Sequence, residues 1–182
     1  QLAAPFTASQ RVRLLLHKDG ILHLTHAPCD PPQRNLAAAL GADQSSTLPL
    51  VVFSPQRTNS GDPWLYHKTT LRGHYDEERV RATAAGFYEV LFLNEREEVT
   101  EGAITSVVAR VDGKLLTPAL ACGLLPGIFR RHLLAASPEP IAEAVLSLDD
   151  LRRAEALYVG NSVRGLIPVR LADPPLLDGY PD

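Results

Sequence analysis

The 182-residue chain is 45% apolar and 21% charged, the composition of a globular protein with one sizeable core and room for a small appendage, not of a disordered chain. No apolar run approaches the ~20 residues of a bilayer span, and a net charge of -3 leaves no basic field for nucleic acid or an anionic membrane surface, so a soluble, cytoplasmic, small-molecule role is the expectation. Cys29 and Cys122 follow no metal or redox spacing, which suits a reducing compartment, and a start at Gln1 with no methionine anywhere reads as part of a longer polypeptide.

In chain order, the apolar runs 11–16 and 21–24 flank Lys18-Asp19-Gly20, which predicts a β-hairpin about an Asp-Gly turn. Pro28, Pro31 and Pro32 crowd the next stretch, so 27–47 reads as a connection around one short alanine-rich helix, with a domain boundary inside it. Residues 50–53 predict a buried strand, and 55–63, bounded by prolines and holding Asn59-Ser60-Gly61, a loop. A helix is expected over 70–85, supported by Glu77 four residues before Arg81 and stopped at Gly86.

Strands follow at 88–93, 106–111 and 114–116, the last two joined at Asp112-Gly113, and a helix is expected from Pro126, a residue suited to the first helical position. Ser147-Leu148-Asp149-Asp150 has the form of a capping box opening a short helix to about Ala154. Residues 157–159 and 166–169 predict short apolar strands, and the proline-rich stretch after Asp173 predicts a frayed tail.

Four places carry residue types suited to chemistry. Lys68, in Tyr66-His67-Lys68-Thr69-Thr70, sits between an aromatic strand end and a helix start; a partly desolvated amine there loses proton affinity and can attack a carbonyl, although a surface lysine is the commoner use of such a position. Glu101 borders an apolar strand, where a buried carboxylate can hold a proton on a pyridine nitrogen or simply be a turn acid. Gly123 to Arg130 is a glycine-containing loop entering a helix, whose free amides and dipole suit a phosphate. Val159-Gly160-Asn161-Ser162-Val163-Arg164-Gly165 is a polar turn able to complete such a cradle or to be an ordinary loop. His23 and His26 fall on one strand and face opposite ways, so no metal site is expected, and His67 and His74 are left outside the site.

The order and spacing of Lys68-Thr69-Thr70-Leu71-Arg72, of Glu89 to Arg96 ahead of Val99-Thr100-Glu101-Gly102, of Leu116-Thr117-Pro118 and Cys122 to Arg130, and of Leu148 to Ala154 and Asn161 to Gly165 resemble the fold-type IV pyridoxal-phosphate enzymes, the class IV aminotransferase family. Within it the pattern is most similar to 4-amino-4-deoxychorismate lyase. The resemblance spans 11–169 and implies an α/β (α+β) fold. It also implies a division into a remnant of a small N-terminal domain (1–26), a connecting region (27–49), the cofactor-binding large domain (50–172) and a tail (173–182).

Carried over residue by residue, the resemblance makes Lys68 the residue that joins pyridoxal 5'-phosphate and Glu101 the partner of its ring nitrogen. The amides of Ile128 and Phe129, with Ser162 and the amide of Val163, hold its phosphate. It places Arg13 near a substrate-facing position, where a structural surface arginine is the plainer reading. The implied reaction is cleavage of aminodeoxychorismate to 4-aminobenzoate and pyruvate, on the route to folate, by a homodimer, and the likeness extends to lyase domains fused behind an aminodeoxychorismate synthase component. Leu71 and Ser106 stand where the family pattern has asparagines, removing or shortening polar groups worth roughly 1 kcal/mol each when buried. Two competing expectations follow: a transaminase of D- or branched-chain amino acids, and a non-catalytic domain kept for assembly.

Overall fold

In the computed structural model, which describes residues 6–32, 35–42 and 47–177, β1 (Gln10–Leu16) and β2 (Leu22–Pro28) form the expected hairpin. Leu14 lies opposite Leu24 and Leu16 opposite Leu22. The turn closes where Asp19 Oδ1 accepts the Ile21 amide at 3.0 Å and Gly20 takes φ +84, a left-handed value that favours glycine. The pair is a two-stranded sheet of its own. Alternation gathers Val12, Leu14, Leu16, Leu22 and Leu24 on one face, and all five are exposed.

The expected alanine-rich helix is α1 (Leu36–Leu40), capped by Asn35 Oδ1 on the Ala38 amide at 3.0 Å and fixed to the sheet by Tyr158, whose hydroxyl donates to the Leu40 carbonyl at 2.8 Å. The remaining strands are β3 (Leu50–Thr58), β4 (Glu89–Asn94), β5 (Val99–Gly102), β6 (Ser106–Val111), β7 (Lys114–Pro118), β8 (Ile141–Ala144), β9 (Ala156–Asn161) and β10 (Gly165–Leu176). They form one eight-stranded sheet in the order β5-β4-β3-β10-β9-β6-β7-β8. β3 runs parallel to β4 and β10, and β7 parallel to β8; the other pairs are antiparallel. The fold is therefore mixed α/β, as the resemblance implied.

The central strands read as unbroken apolar runs because both faces are covered. On one face Val52, Val90 and Phe92 pack under Tyr75 and Ala82 of α2 (Gly73–Ala84). On the other, Val51, Phe53, Leu91 and Leu93 meet Leu151 of α4 (Leu148–Arg152). At the far end Val108, Tyr158 and Leu166 pack with Leu133 of α3 (Ile128–Ala136).

Several expectations shift. The loop expected over 55–63 begins only after Thr58: β3 resumes pairing with β4 at Arg57 after a register break that contains Pro55, so the proline sits where no ladder amide is required. Ser54 Oγ satisfies the break, accepting the Gln56 amide at 2.9 Å and donating to the buried Glu78 at 2.6 Å. Helix α2 starts three residues later than expected, and Arg81 pairs with Glu78 at 2.6 Å, three residues before it, instead of supporting the helix through Glu77. Gly86 ends it at φ +89, as expected.

Glu101, expected at the border of an apolar strand, lies within a short strand of its own, β5, and β8 is a further strand that the sequence pattern does not predict. Helix α3 opens with Gly127 as its cap, so Pro126 precedes the helix and does not start it. The Ser147–Asp150 capping box is complete. The tail expected to fray after Asp173 instead continues β10 to Leu176, with the Leu177 amide donating to the Phe53 carbonyl at 2.8 Å; parallel pairing of Leu176 with Phe53 of β3 holds it. The last part of that tail, 178–182, lies outside the described residues. So do 1–5, 33–34 and 43–46. No helix among the described residues is long and apolar enough to cross a membrane.

Candidate functional site

A cavity of about 190 Å³ opens beside the start of α2, and both Lys68 and Glu101 line it. Lys68 follows not a strand but a 3₁₀ turn, Pro63–Tyr66, capped by Asp62 Oδ1 on the Trp64 amide at 2.9 Å. The lysine is exposed, which corrects the expectation of a partly desolvated amine; its long stem lets the ammonium reach the cavity that holds the acid.

Glu101 reaches the same cavity from β5, the edge strand of the sheet, although it stands far along the sequence from Lys68. Its carboxylate is held at both oxygens. The Tyr75 hydroxyl, from the first turn of α2, donates to Oε1 at 3.4 Å, and the Leu125 amide donates to Oε2 at 3.3 Å. Tyr75 is itself buried, its ring edge-on to Phe92 at 4.6 Å, with the Arg72 guanidinium 5.7 Å over its face.

Burial pushes the Glu101 carboxyl up to about 7. The Leu125 amide, the Lys68 charge, the Tyr75 hydroxyl and Arg72 each pull it back, but they do not overcome desolvation. Near neutral pH this acid therefore carries a shareable proton. The Tyr75 phenol is driven upward by the same burial, then by the neighbouring carboxylate. His74 is lowered, first by burial and next by Arg72. His67 and His74, which the sequence leaves outside the expected site, both stand on the cavity wall.

The phosphate candidates form a second cluster. The amides of Ile128 and Phe129 belong to the first turn of α3, where no intrahelical acceptor exists, and the Ile128 side chain points away, 71% exposed. The Phe129 ring lies against Gly160: a Cβ built there would meet Phe129 Cε1 at 2.6 Å. That contact brings the 161–164 turn to the start of α3. Ser162 is exposed on it, while the Val163 amide already donates to Asn161 Oδ1 at 3.0 Å, so an anion would have to share it. Ser106 Oγ would lie 3.8 Å from a Cβ built on Gly127, which places this shorter substitute for asparagine at the mouth of the helix.

Leu125 joins the two clusters, lining the cavity and standing three residues before Ile128. An amine, a proton-sharing acid and a helix N-terminus thus converge, and this donor set fits pyridoxal phosphate: a carbonyl for the amine, a ring nitrogen for the acid, a dianion for the amides. Tyr75 and the Leu125 amide were not foreseen. Only the three-dimensional crossing of α2, β5 and the 123–127 loop reveals them, although Tyr75 in the first turn of an expected helix was a visible signal.

The class IV amino-transferase family model matches residues 7–172. A Thermotoga maritima protein assigned as a branched-chain-amino-acid aminotransferase is 33% identical over 103 residues, covering 55% of this chain and 38% of its own length. A Schizosaccharomyces pombe protein assigned as an aminodeoxychorismate lyase is 30% identical over 118 residues, 63% of this chain and 51% of its own. A solved Mesorhizobium loti structure assigned as an amino-acid aminotransferase superposes with TM-score 0.79 at 37% identity, over 93% of this chain and 76% of its own. The chain therefore spans between about two fifths and one half of the two curated relatives.

Proposed function

The chain belongs to the amino-transferase class IV family, whose members use pyridoxal phosphate, and on that footing we propose that it is the cofactor-holding part of a lyase converting 4-amino-4-deoxychorismate to 4-aminobenzoate and pyruvate. The observation that carries the proposal is the sharing of one small cavity by Lys68 and Glu101, with both carboxylate oxygens already fixed. The lyase-like run Lys68-Thr69-Thr70 and the fission yeast relative support this reaction.

Bound pyridoxal phosphate supplies an electron-accepting ring that stabilises charge developing on the substrate α-carbon. The Ile128 and Phe129 amides, with Ser162, hold the phosphate end at the positive end of α3. Glu101 holds the proton at the ring nitrogen; its free lone pairs remain after Tyr75 and Leu125 have taken one each. Lys68 supplies the amine that joins the cofactor. Lys68 Nζ, within reach of the same cavity, would take the α-proton of the substrate. The cavity is smaller than the roughly 300–1,000 Å³ of ordinary ligand pockets, so the substrate end is completed by surfaces beyond this cavity, and we place them in a homodimer of the whole protein.

The Thermotoga and Mesorhizobium likenesses favour a second reading, transamination. Pyruvate formed from aminodeoxychorismate without an oxo-acid acceptor supports the lyase; turnover only with an acceptor supports the transaminase. The shared premise has its own test. Added pyridoxal phosphate gives a visible absorbance band that borohydride bleaches while fixing the cofactor covalently on Lys68, and Lys68→Ala abolishes both the band and the attachment. A band that persists in Lys68→Ala refutes the role of this lysine.

A further inference from the structure

The segment leading to Lys68 and the segment leading to α3 are far apart in sequence, yet they touch. A Cβ built on Gly123 would lie 2.6 Å from Ser60 Cα and 3.1 Å from Leu65 Cδ1. Gly123 has φ +84, so glycine is required here both for the backbone's hand and for the close approach. Leu65 belongs to the 3₁₀ turn just before Lys68, and the Tyr66 hydroxyl donates back to the Ser60 carbonyl at 3.3 Å.

A third segment, the turn between β4 and β5, grips both. Arg96 Nη1 donates to Ser60 Oγ, and its Nη2 donates to the Ala121 carbonyl at 3.1 Å and to Glu98 at 2.7 Å. Glu95 accepts the Ser60 amide at 2.8 Å and the Ser60 hydroxyl at 2.7 Å. Beneath them Asn94 is fully buried. Its Oδ1 accepts the Arg96 and Glu98 amides at 2.9 and 3.0 Å, and its Nδ2 donates to the Cys122 carbonyl at 2.9 Å.

One guanidinium therefore spans the two segments that present the amine and the anion-binding helix. Single surface ion pairs contribute little, but here two loops, each held by charge-assisted bonds, meet at one forked cation.

We propose that Arg96, braced by Glu95 and Asn94, is a positioning residue that fixes the distance between Lys68 and the α3 N-terminus, so that the two ends of one cofactor are held together. This rests on the reading of Lys68 and α3 as the two anchors of pyridoxal phosphate. None of the bonds involves the cavity itself, so the effect is transmitted only through the loops.

Hydrogen exchange of the full chain without cofactor, followed peptide by peptide, tests it in Arg96→Met, with Gly123→Ala as a second, independent way of parting the loops. Exchange in 59–68 and 119–126 rises together, about tenfold, while melting of the sheet moves little. Pyridoxal phosphate affinity, read from the visible band, falls about tenfold by the same loss, and Arg96→Lys recovers part of it. Faster exchange confined to 95–98 or to one of the two loops overturns the coupling. So does unchanged cofactor affinity when both loops have loosened. Absence of a visible band in the unmodified chain refutes the proposed function, and the exchange result still decides the clamp.

Discussion

The acid at the centre of the cavity makes a measurable prediction for the protein without cofactor. Burial raises the Glu101 carboxyl to about 7 in the folded chain from the ordinary carboxylate value of 4.5, so the folded state binds this proton more tightly than the unfolded state. Its contribution to stability is complete below about 4.5, declines as pH rises toward about 7, and is flat above that. At about 1.4 kcal/mol for each pH step, the decline is roughly 3 kcal/mol.

Glu101→Gln keeps the shape and removes the titration. The assay is urea unfolding of both proteins at pH 4.5, 6 and 7.5. The stability difference between them should swing by roughly 3 kcal/mol across that range, toward the variant at the alkaline end. His74, lowered first by burial and next by Arg72, stands in both proteins, so its titration enters both sides of the difference. A difference that stays constant from pH 4.5 to 7.5 refutes the claim that this carboxyl is desolvated.

Two further predictions concern the scaffold. Gly160→Ala places a Cβ 2.6 Å from both the Gly165 carbonyl and the Phe129 ring; overpacking of this kind costs about 1–3 kcal/mol, and because it pushes the start of α3 away from the 161–164 turn, phosphate affinity should fall along with the melting temperature. Ser147→Ala removes the hydroxyl that accepts the Asp150 amide and should cost about 1 kcal/mol by thermal unfolding, with no effect on cofactor binding, since α4 packs on the face of the sheet opposite α2.

Local chemistry made much of this protein legible in one dimension. Asp19-Gly20, Asp112-Gly113, Gly86 and the Ser147–Asp150 box act within a few residues of themselves, through backbone hand and short hydrogen bonds, and each turn or cap stands where the pattern puts it. Strands β3, β4, β6 and β9 were visible as apolar runs for an equally simple reason, burial on both faces. Strand β5 was not, because Val99-Thr100-Glu101-Gly102 is too short and too polar to stand out, and only its pairing with β4 makes it a strand. The Pro55 and Pro174 segments looked like breaks for the same lack of context. A register break absorbs each of them, and pairing between β3 and its neighbour resumes at Arg57 after the first and at Leu176 after the second.

At the site, the residue types with intrinsic chemistry, Lys68 and Glu101, and the glycine-bounded helix start could be chosen from the sequence. What makes them a candidate site is the desolvation of one carboxylate, the Tyr75 hydroxyl and Leu125 amide that aim it, and the Arg96 fork that joins two distant loops. Each depends on groups brought together from different elements, and burial and proximity are properties of the folded chain alone.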